Sequence, residues 1–238
     1  MTTLLTVDWD YFIDEDPMWD LGHKESVTHL DLIWRARGNL IGKMHTTGVE
    51  KSFWKKLPVT TDCPVFVSDS HCFAYEFAKQ VDHVLLVDRH HDCWPAEKNR
   101  IECDTWLGEW LRRRAKRKVT WLRPKNAKMI YEVPKVFDTR FIVTDDIMTI
   151  QPYVAEIVHI CRSGCWCPPW LDIDFVNFLK DLRPLKDVVS IPQEAKDTKW
   201  NPIKFRWSLE EFKQAREAAK VIEVGKKEDL DVDRRIAP

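Results

Sequence analysis

The feature that most restricts the fold is a set of short, almost wholly apolar runs, each closed by an acid or a histidine-bearing turn. Residues 64–68 (PVFVS) and 84–88 (VLLVD) lack the polar alternation of a half-exposed strand, and residues 4–9 (LLTVDW) are strand-like with only Thr6 and Asp8 polar. As strands they are buried on both faces. Helical patterns stand between them. Residues 72–80 (CFAYEFAKQ) form one, and 105–117 another, with Trp106, Leu107, Trp110 and Leu111 on one face. Residues 119–122, 141–144 and 171–176 read as further strands. Residues 152–162 read as a helix with Val154, Ile157, Val158 and Cys161 inward, ended by Gly164. Ser208 and Glu211 make a capping box for a helix over 209–220. Strands and helices in alternation predict an α/β fold of three layers, α/β/α, around a mainly parallel sheet. The pattern has no internal boundary, so one domain over 1–238 is expected, with a loose charged tail from about residue 225.

Length and charge agree with this and exclude several classes. At 238 residues the chain suits one domain with a sizeable core. Lys+Arg is 37 against Asp+Glu 38, which argues against a nucleic-acid coat and an acidic tail protein. The basic run 112–118 (RRRAKRK) continues a helical pattern and reads as its solvated face. No apolar stretch approaches the roughly 18 residues of a membrane span. The opening MTTLLTVDWD has no basic segment or cleavage site of a secretory signal, so a cytoplasmic protein is expected. The seven cysteines are odd in number and irregular in spacing, as suits reduced thiols. Cys161, Cys165 and Cys167 have no obvious fourth partner for zinc and read as buried packing residues. Twelve tryptophans against seven glycines point to an aromatic core or ligand groove.

Three strand ends carry the chemistry. VFVSDSH ends at His71, VLLVDRHHDCW contains Asp88, His90 and Asp92, and WLDIDF contains Asp172 and Asp174. Side chains of an extended segment alternate faces, so Asp88, His90 and Asp92 share one side, as do Asp172 and Asp174. Asp8 and Asp10 form a similar pair, but a lone D-x-D reads first as a solvated strand end. Ligand sites of parallel sheets lie outside the carboxyl ends of the strands. Four carboxylates gathered there would repel, and divalent cations would neutralise them. Mixed carboxylate and imidazole ligands suit Mn²⁺, with Zn²⁺ or Fe²⁺ as alternatives.

S-D-S-H, D-R-H-H-D and L-D-I-D-F resemble the three metal motifs of the arginase/ureohydrolase superfamily. That resemblance implies two Mn²⁺ ions held by His71, Asp88, His90, Asp92, Asp172 and Asp174, with Asp88 and Asp172 bridging. Asp92 would also be the catalytic proton carrier. The opening TVDWDYF, the H-H-D and the C-D-T-W-L-G that follows resemble more closely the peptide arginases. These enzymes convert arginine to ornithine, with release of urea, within ribosomally made precursor peptides. An Arg-containing precursor peptide is then the implied partner.

Two departures from the superfamily bear on substrate. Its free-arginine enzymes carry a proton-shuttling histidine downstream of the second motif, where this chain has Thr105 or Leu107. Their polar loop for the α-amino and α-carboxyl groups is replaced here by CWPAEKNRIECD. Both disfavour free arginine. Glu194 and Asp10 are the candidate carboxylate partners of a guanidinium. His23 and Glu25 could replace the shuttle but read better as surface residues. Trp94, Trp106 and Trp110 are candidates to flank a peptide groove. The rival expectations are a ureohydrolase of a small guanidino compound, a metal-dependent amide deacetylase, or a non-catalytic metal-containing peptide-binding protein.

Overall fold

The computed structural model describes residues 2–14, 34, 44–60, 65–96, 101–125, 131–182 and 188–190. Glu194, His23, Glu25, the capping-box helix over 209–220 and the tail from 225 lie outside them.

The expected parallel sheet is present, with seven strands. In chain order they are β1 (Thr3–Asp8), β3 (Val65–Ser68), β4 (His83–Val87), β5 (Lys118–Leu122), β6 (Phe141–Thr144), β8 (Ile157–Cys161) and β9 (Val188–Ser190). Their order across the sheet is β6-β5-β4-β1-β8-β3-β9, with every pairing parallel. Two short strands, β2 (Val59–Thr60) and β7 (Tyr153–Val154), pair separately. The chain passes from β1 outward to β3, then crosses β1 to lay down β4. The carboxyl ends of β1, β3 and β4 therefore meet where the winding reverses, the place where such sheets form ligand crevices.

Strand alternation builds two cores, one on each face. Leu4, Val84, Leu86, Val119 and Trp121 meet helices α2 (Ala74–Ala78) and α3 (Trp106–Arg112), whose inward residues are Tyr75, Trp106, Leu107, Trp110 and Leu111. Leu5, Val7, Leu85, Val87, Val158 and Ile160 meet the other face, covered by α1 (Phe53–Lys56) and α4 (Asp172–Asp181). Trp9, Phe12, Phe53 and Phe178 pack there with ring centroids about 5–6 Å apart.

Two elements differ from the sequence reading. Residues 157–161 are not helical. They form β8, inserted between β1 and β3; Val158 and Cys161 are buried and Ile157 partly so, an apolar run that a central strand shares with a helix, whereas Val154 lies in β7 and is 69% exposed instead of inward. Conversely, residues 172–176 are not a strand but the start of α4. Leu171, Phe175, Phe178, Leu179 and Leu182 recur at helical spacing and are buried. Pro169 precedes them, and Asp172 and Asp174 sit in the first turn, where the helix dipole favours acids. The helix over 105–117 ends early, at Arg112, and Arg117 is buried with its guanidinium over the Trp110 ring. Cys161, Cys165 and Cys167 are buried.

His83 opens β4 between Thr3 and Thr120, its Nε2 3.0 Å from the Thr120 hydroxyl and its ring stacked 4.7 Å from Tyr153. Burial pushes its pKa down from 6.5 to about 4. Above pH 6.5 the ring is neutral folded or unfolded. Between 6.5 and 4 only the unfolded chain takes up the proton, so this group destabilises the fold as pH falls through that window. At about 1.4 kcal/mol per pH unit, the term reaches about 3 kcal/mol at most. Urea unfolding of wild type and His83→Gln at pH 7 and pH 4.5 should show a shallower acid loss in the variant; equal losses would exclude a neutral buried His83.

Candidate metal centre

Six polar side chains converge at the carboxyl ends of β1, β3 and β4. Asp8 ends β1, and its Oδ1 accepts the Asp10 N–H at 3.2 Å, so the 3-10 turn Trp9–Phe12 begins there and turns Asp10 inward. His71 opens the turn after β3, capped by the Ser70 hydroxyl, which accepts the Cys72 N–H at 3.3 Å. Asp88, His90 and Asp92 lie in the loop after β4. Asp88 Oδ1 accepts the His90 N–H at 2.8 Å, and the Trp121 indole donates to the Asp88 carbonyl at 2.8 Å.

Asp92 is held in the left-handed region, at φ 49°, which aspartate tolerates better than most residues. Its carbonyl accepts the Leu107 and Gly108 N–H groups of α3 at 3.0 and 3.1 Å. A Cβ at Gly108 would stand 3.1 Å from the Cys93 Cα, a tight contact, so the close approach that clamps Asp92 favours glycine there. The Trp106 indole donates to Asp92 Oδ2 at 2.6 Å.

Two ligand groups share one carboxylate. Asp8, His71 and Asp88 form the first and Asp10, Asp88 and His90 the second, each with its ligand atoms within 4.8 Å of one another. His71 Nδ1 lies 3.3, 3.0 and 2.8 Å from carboxylate oxygens of Asp8, Asp88 and Asp92, which brings Asp92 to the first group. His90 Nδ1 is 3.0 Å from Asp10 Oδ2 and 3.8 Å from Asp88 Oδ1. Asp8, Asp10, His71, Asp88 and Asp92 are buried, whereas the His90 side chain is 30% exposed.

Burial and mutual repulsion of the carboxylates dominate the electrostatics of the cluster. Burial pushes the Asp8 carboxyl well up, and the charges of Asp10 and Asp88 add to it. Burial does the same to Asp88, reinforced by Asp92 and Asp10. Burial also works against ionised Asp10, but His90 and Arg89 outweigh it and hold that carboxyl low. Burial would keep both imidazoles neutral, yet the carboxylates raise His71 and His90 above their ordinary range.

His71 Nδ1, Asp88 Oδ2 and Asp10 Oδ1 are buried without a hydrogen-bond partner. Leaving such atoms unmatched costs about 1–3 kcal/mol each, more when charged. Carboxylate oxygens at hydrogen-bonding distance from an imidazole nitrogen, but in no hydrogen-bond alignment, suit a shared cation. The donor set is therefore right for hard or borderline divalent ions.

The cluster gathers four carboxylates and two histidines, among them His71, Asp88, His90 and Asp92 of the sequence reading. Asp172 and Asp174 are not in the cluster. Asp172 lies in α4 and binds Arg162, whose Nε and Nη2 donate to its Oδ1 at 2.7 and 2.5 Å, with Asp69 3.7 Å from Nη1. Burial raises Asp172 to about 6 against the pull of Arg162. Asp174 is half-buried on the same helix. Asp8 and Asp10 stand in their place, which also moves Asp10 from candidate guanidinium partner to candidate ligand. Ser163, at φ 57° after β8, donates to Asp8 Oδ2 at 3.0 Å, so the segment carrying Arg162 also supports the cluster.

Trp106 and Trp110 do not flank a groove. Both are fully buried on the inner face of α3, Trp106 bonding Asp92 and Trp110 the Ala78 carbonyl. Trp94 is 43% exposed. With Tyr131, whose ring is 4.9 Å from His90, it makes an aromatic border on the exposed side of the cluster. No protein-family model, curated protein or solved structure matches the chain.

Exchange of one acidic pair for another sets a direct test. Asp88→Ala should abolish metal binding and Asp8→Ala should weaken it. Asp172→Ala should leave the metal content of the folded protein unchanged while lowering stability by about 3–5 kcal/mol, because it strips a close partner from buried Arg162. Elemental analysis beside urea unfolding separates the two effects. Metal lost from a folded Asp172→Ala would return that residue to the ligand set.

Proposed function

We propose that the chain is a hydrolase that holds two divalent cations, best suited to Mn²⁺, and converts arginine side chains within a peptide to ornithine with release of urea. The observation that carries the metal-dependent part is the pair of buried ligand groups sharing Asp88, with three buried ligand atoms left without hydrogen bonds. The guanidino substrate rests on the ureohydrolase resemblance. Its first two motifs contribute His71, Asp88, His90 and Asp92 to the cluster, while its third, with Asp172 and Asp174, does not. The segments on which the narrower peptide-arginase resemblance rests also lie at the cluster. TVDWDYF supplies Asp8 and Asp10, D-R-H-H-D supplies three ligands, and C-D-T-W-L-G supplies the indole on Asp92 and the clamp on its carbonyl.

Asp8, His71, Asp88 and Asp92 would hold one ion, and Asp10, Asp88 and His90 the other. When bound, such ions supply Lewis-acid activation of water near neutral pH. The chain's own groups do the rest. Asp92, held by Trp106, takes the proton of the attacking water and returns it to the arginine Nε as the bond from that nitrogen to the guanidinium carbon breaks. The ornithine amine leaves on one side and urea on the other. Trp94 and Tyr131 stand where a planar cation approaching His90 would meet aromatic faces. A peptide arginine brings no α-charges, in keeping with a chain that lacks the polar loop of the free-arginine enzymes. A cytoplasmic setting fits that substrate, and no helix among the described residues is long and apolar enough to cross a membrane.

Incubation of the Mn²⁺-loaded protein with an Arg-containing peptide should release urea and lower the peptide mass by roughly 42 Da per arginine, the mass balance of guanidine hydrolysis. Free L-arginine should react poorly, and Asp92→Asn should be inactive. Faster turnover of free arginine than of every peptide tried would refute the peptide substrate, and absence of urea with any guanidino compound would refute the reaction. Metal affinity should rise with pH through the acid range, since loading displaces protons from Asp8, Asp88 and the imidazoles. Competition titrations with a chelator at pH 6 and pH 8 measure that rise.

A further inference from the structure

A second histidine, absent from every motif, lies behind His71. His159 is fully buried in the middle of β8, beside Thr6 of β1 and Phe66 of β3 in the sheet register. Its Nδ1 is 3.0 Å from the Thr6 hydroxyl, and its Nε2 is 2.8 Å from the Ser68 hydroxyl. The same Thr6 hydroxyl is 2.8 Å from His71 Nε2. The Ser68 hydroxyl donates to the Ser70 carbonyl at 2.9 Å.

Counting protons along this line gives one consistent direction. A carbonyl only accepts, so the single Ser68 proton is committed to Ser70. Ser68 must then accept from His159 Nε2–H. His159 touches the Thr6 and Ser68 hydroxyls and the rings of His71 and Phe77, none of them a carboxylate. An imidazolium buried with only hydroxyl partners would be costly, so the ring is neutral. A neutral ring with its proton on Nε2 presents a lone pair at Nδ1, which accepts the Thr6 proton. Thr6 then has only its oxygen to offer His71, so His71 carries a proton on Nε2. Its Nδ1 is the nitrogen facing the carboxylates of Asp8, Asp88 and Asp92.

We propose that Thr6, His159 and Ser68 form a positioning relay that fixes the His71 tautomer and ring angle, presenting Nδ1 as a ready-made ligand atom. This rests on reading the cluster as a metal centre. Outer partners of this kind change metal affinity by about 10–100-fold in characterised sites. The relay is built from the strands themselves, and the ring of His159 stacks 5.8 Å from that of His71 at 18°.

The experiment is long-range ¹H–¹⁵N NMR of the histidine rings, with and without Zn²⁺ as a diamagnetic probe, beside Mn²⁺ dissociation constants. In the metal-free protein His159 should be the neutral Nε2–H form and His71 should carry a proton on Nε2. With Zn²⁺, His71 Nδ1 should shift as a metal-bound nitrogen while Nε2 stays protonated. Thr6→Val should weaken Mn²⁺ binding about 10–100-fold, and Thr6→Ser should restore most of it. Should Thr6→Val fail to fold, Ser68→Ala tests the far end, with the His159 ring losing its single Nε2–H form. A proton on His159 Nδ1, or a folded Thr6→Val with wild-type affinity, overturns the relay. The predicted tautomers in a protein that binds no metal would support the relay and remove the metal reading instead.

Discussion

Everything near the carboxyl edge of the sheet depends on one electrostatic constraint. Asp8, Asp10, Asp88 and Asp92 are buried within a few ångströms of one another and of two imidazoles. Like charges so placed are tolerable only with protons or cations between them. A fold that merely needed stability would gain by replacing such a cluster with apolar side chains. Its presence, with His71 Nδ1, Asp88 Oδ2 and Asp10 Oδ1 buried and without hydrogen bonds, is the strongest reason to read the cluster as a place of chemistry.

Supporting contacts hold these ligands from outside. Trp106 bonds the carboxylate of Asp92 while the next two residues of α3 bond its carbonyl. Ser163 bonds Asp8, and the Arg162–Asp172 pair braces the turn from which Ser163 projects. Thus α3 and β8, neither of which supplies a ligand, determine where ligands point. Arg162 holds Asp172, with Asp69 also near its guanidinium, outside both ligand groups.

Much of this was legible in the residues. The doubly buried strands announce a parallel sheet, and the turns after β3 and β4 announce His71, Asp88, His90 and Asp92. The misreadings share one cause. A central parallel strand and a buried helix both read as unbroken apolar sequence, so residues 157–161 and 172–176 exchanged identities. Period-two spacing in LDIDF spans too few residues to outweigh the helical recurrence from Leu171 to Leu182. Read as a strand end, LDIDF offers Asp172 and Asp174 as ligands, whereas β1, at the centre of the sheet, brings in Asp8 and Asp10. Strand order is a long-range property that no local pattern records. For the same reason no local pattern marks His159: only the β1–β8 pairing sets it beside Thr6.

The uneven exposure of the two ligand groups has a kinetic consequence. In the two-ion reading, the group containing His90 opens to solvent, while the group containing His71 lies behind it with no comparably exposed member. The inner ion would have to arrive first and leave last. The centre would then behave as a stack rather than as two independent shelves, the outer ion exchanging ahead of the inner one.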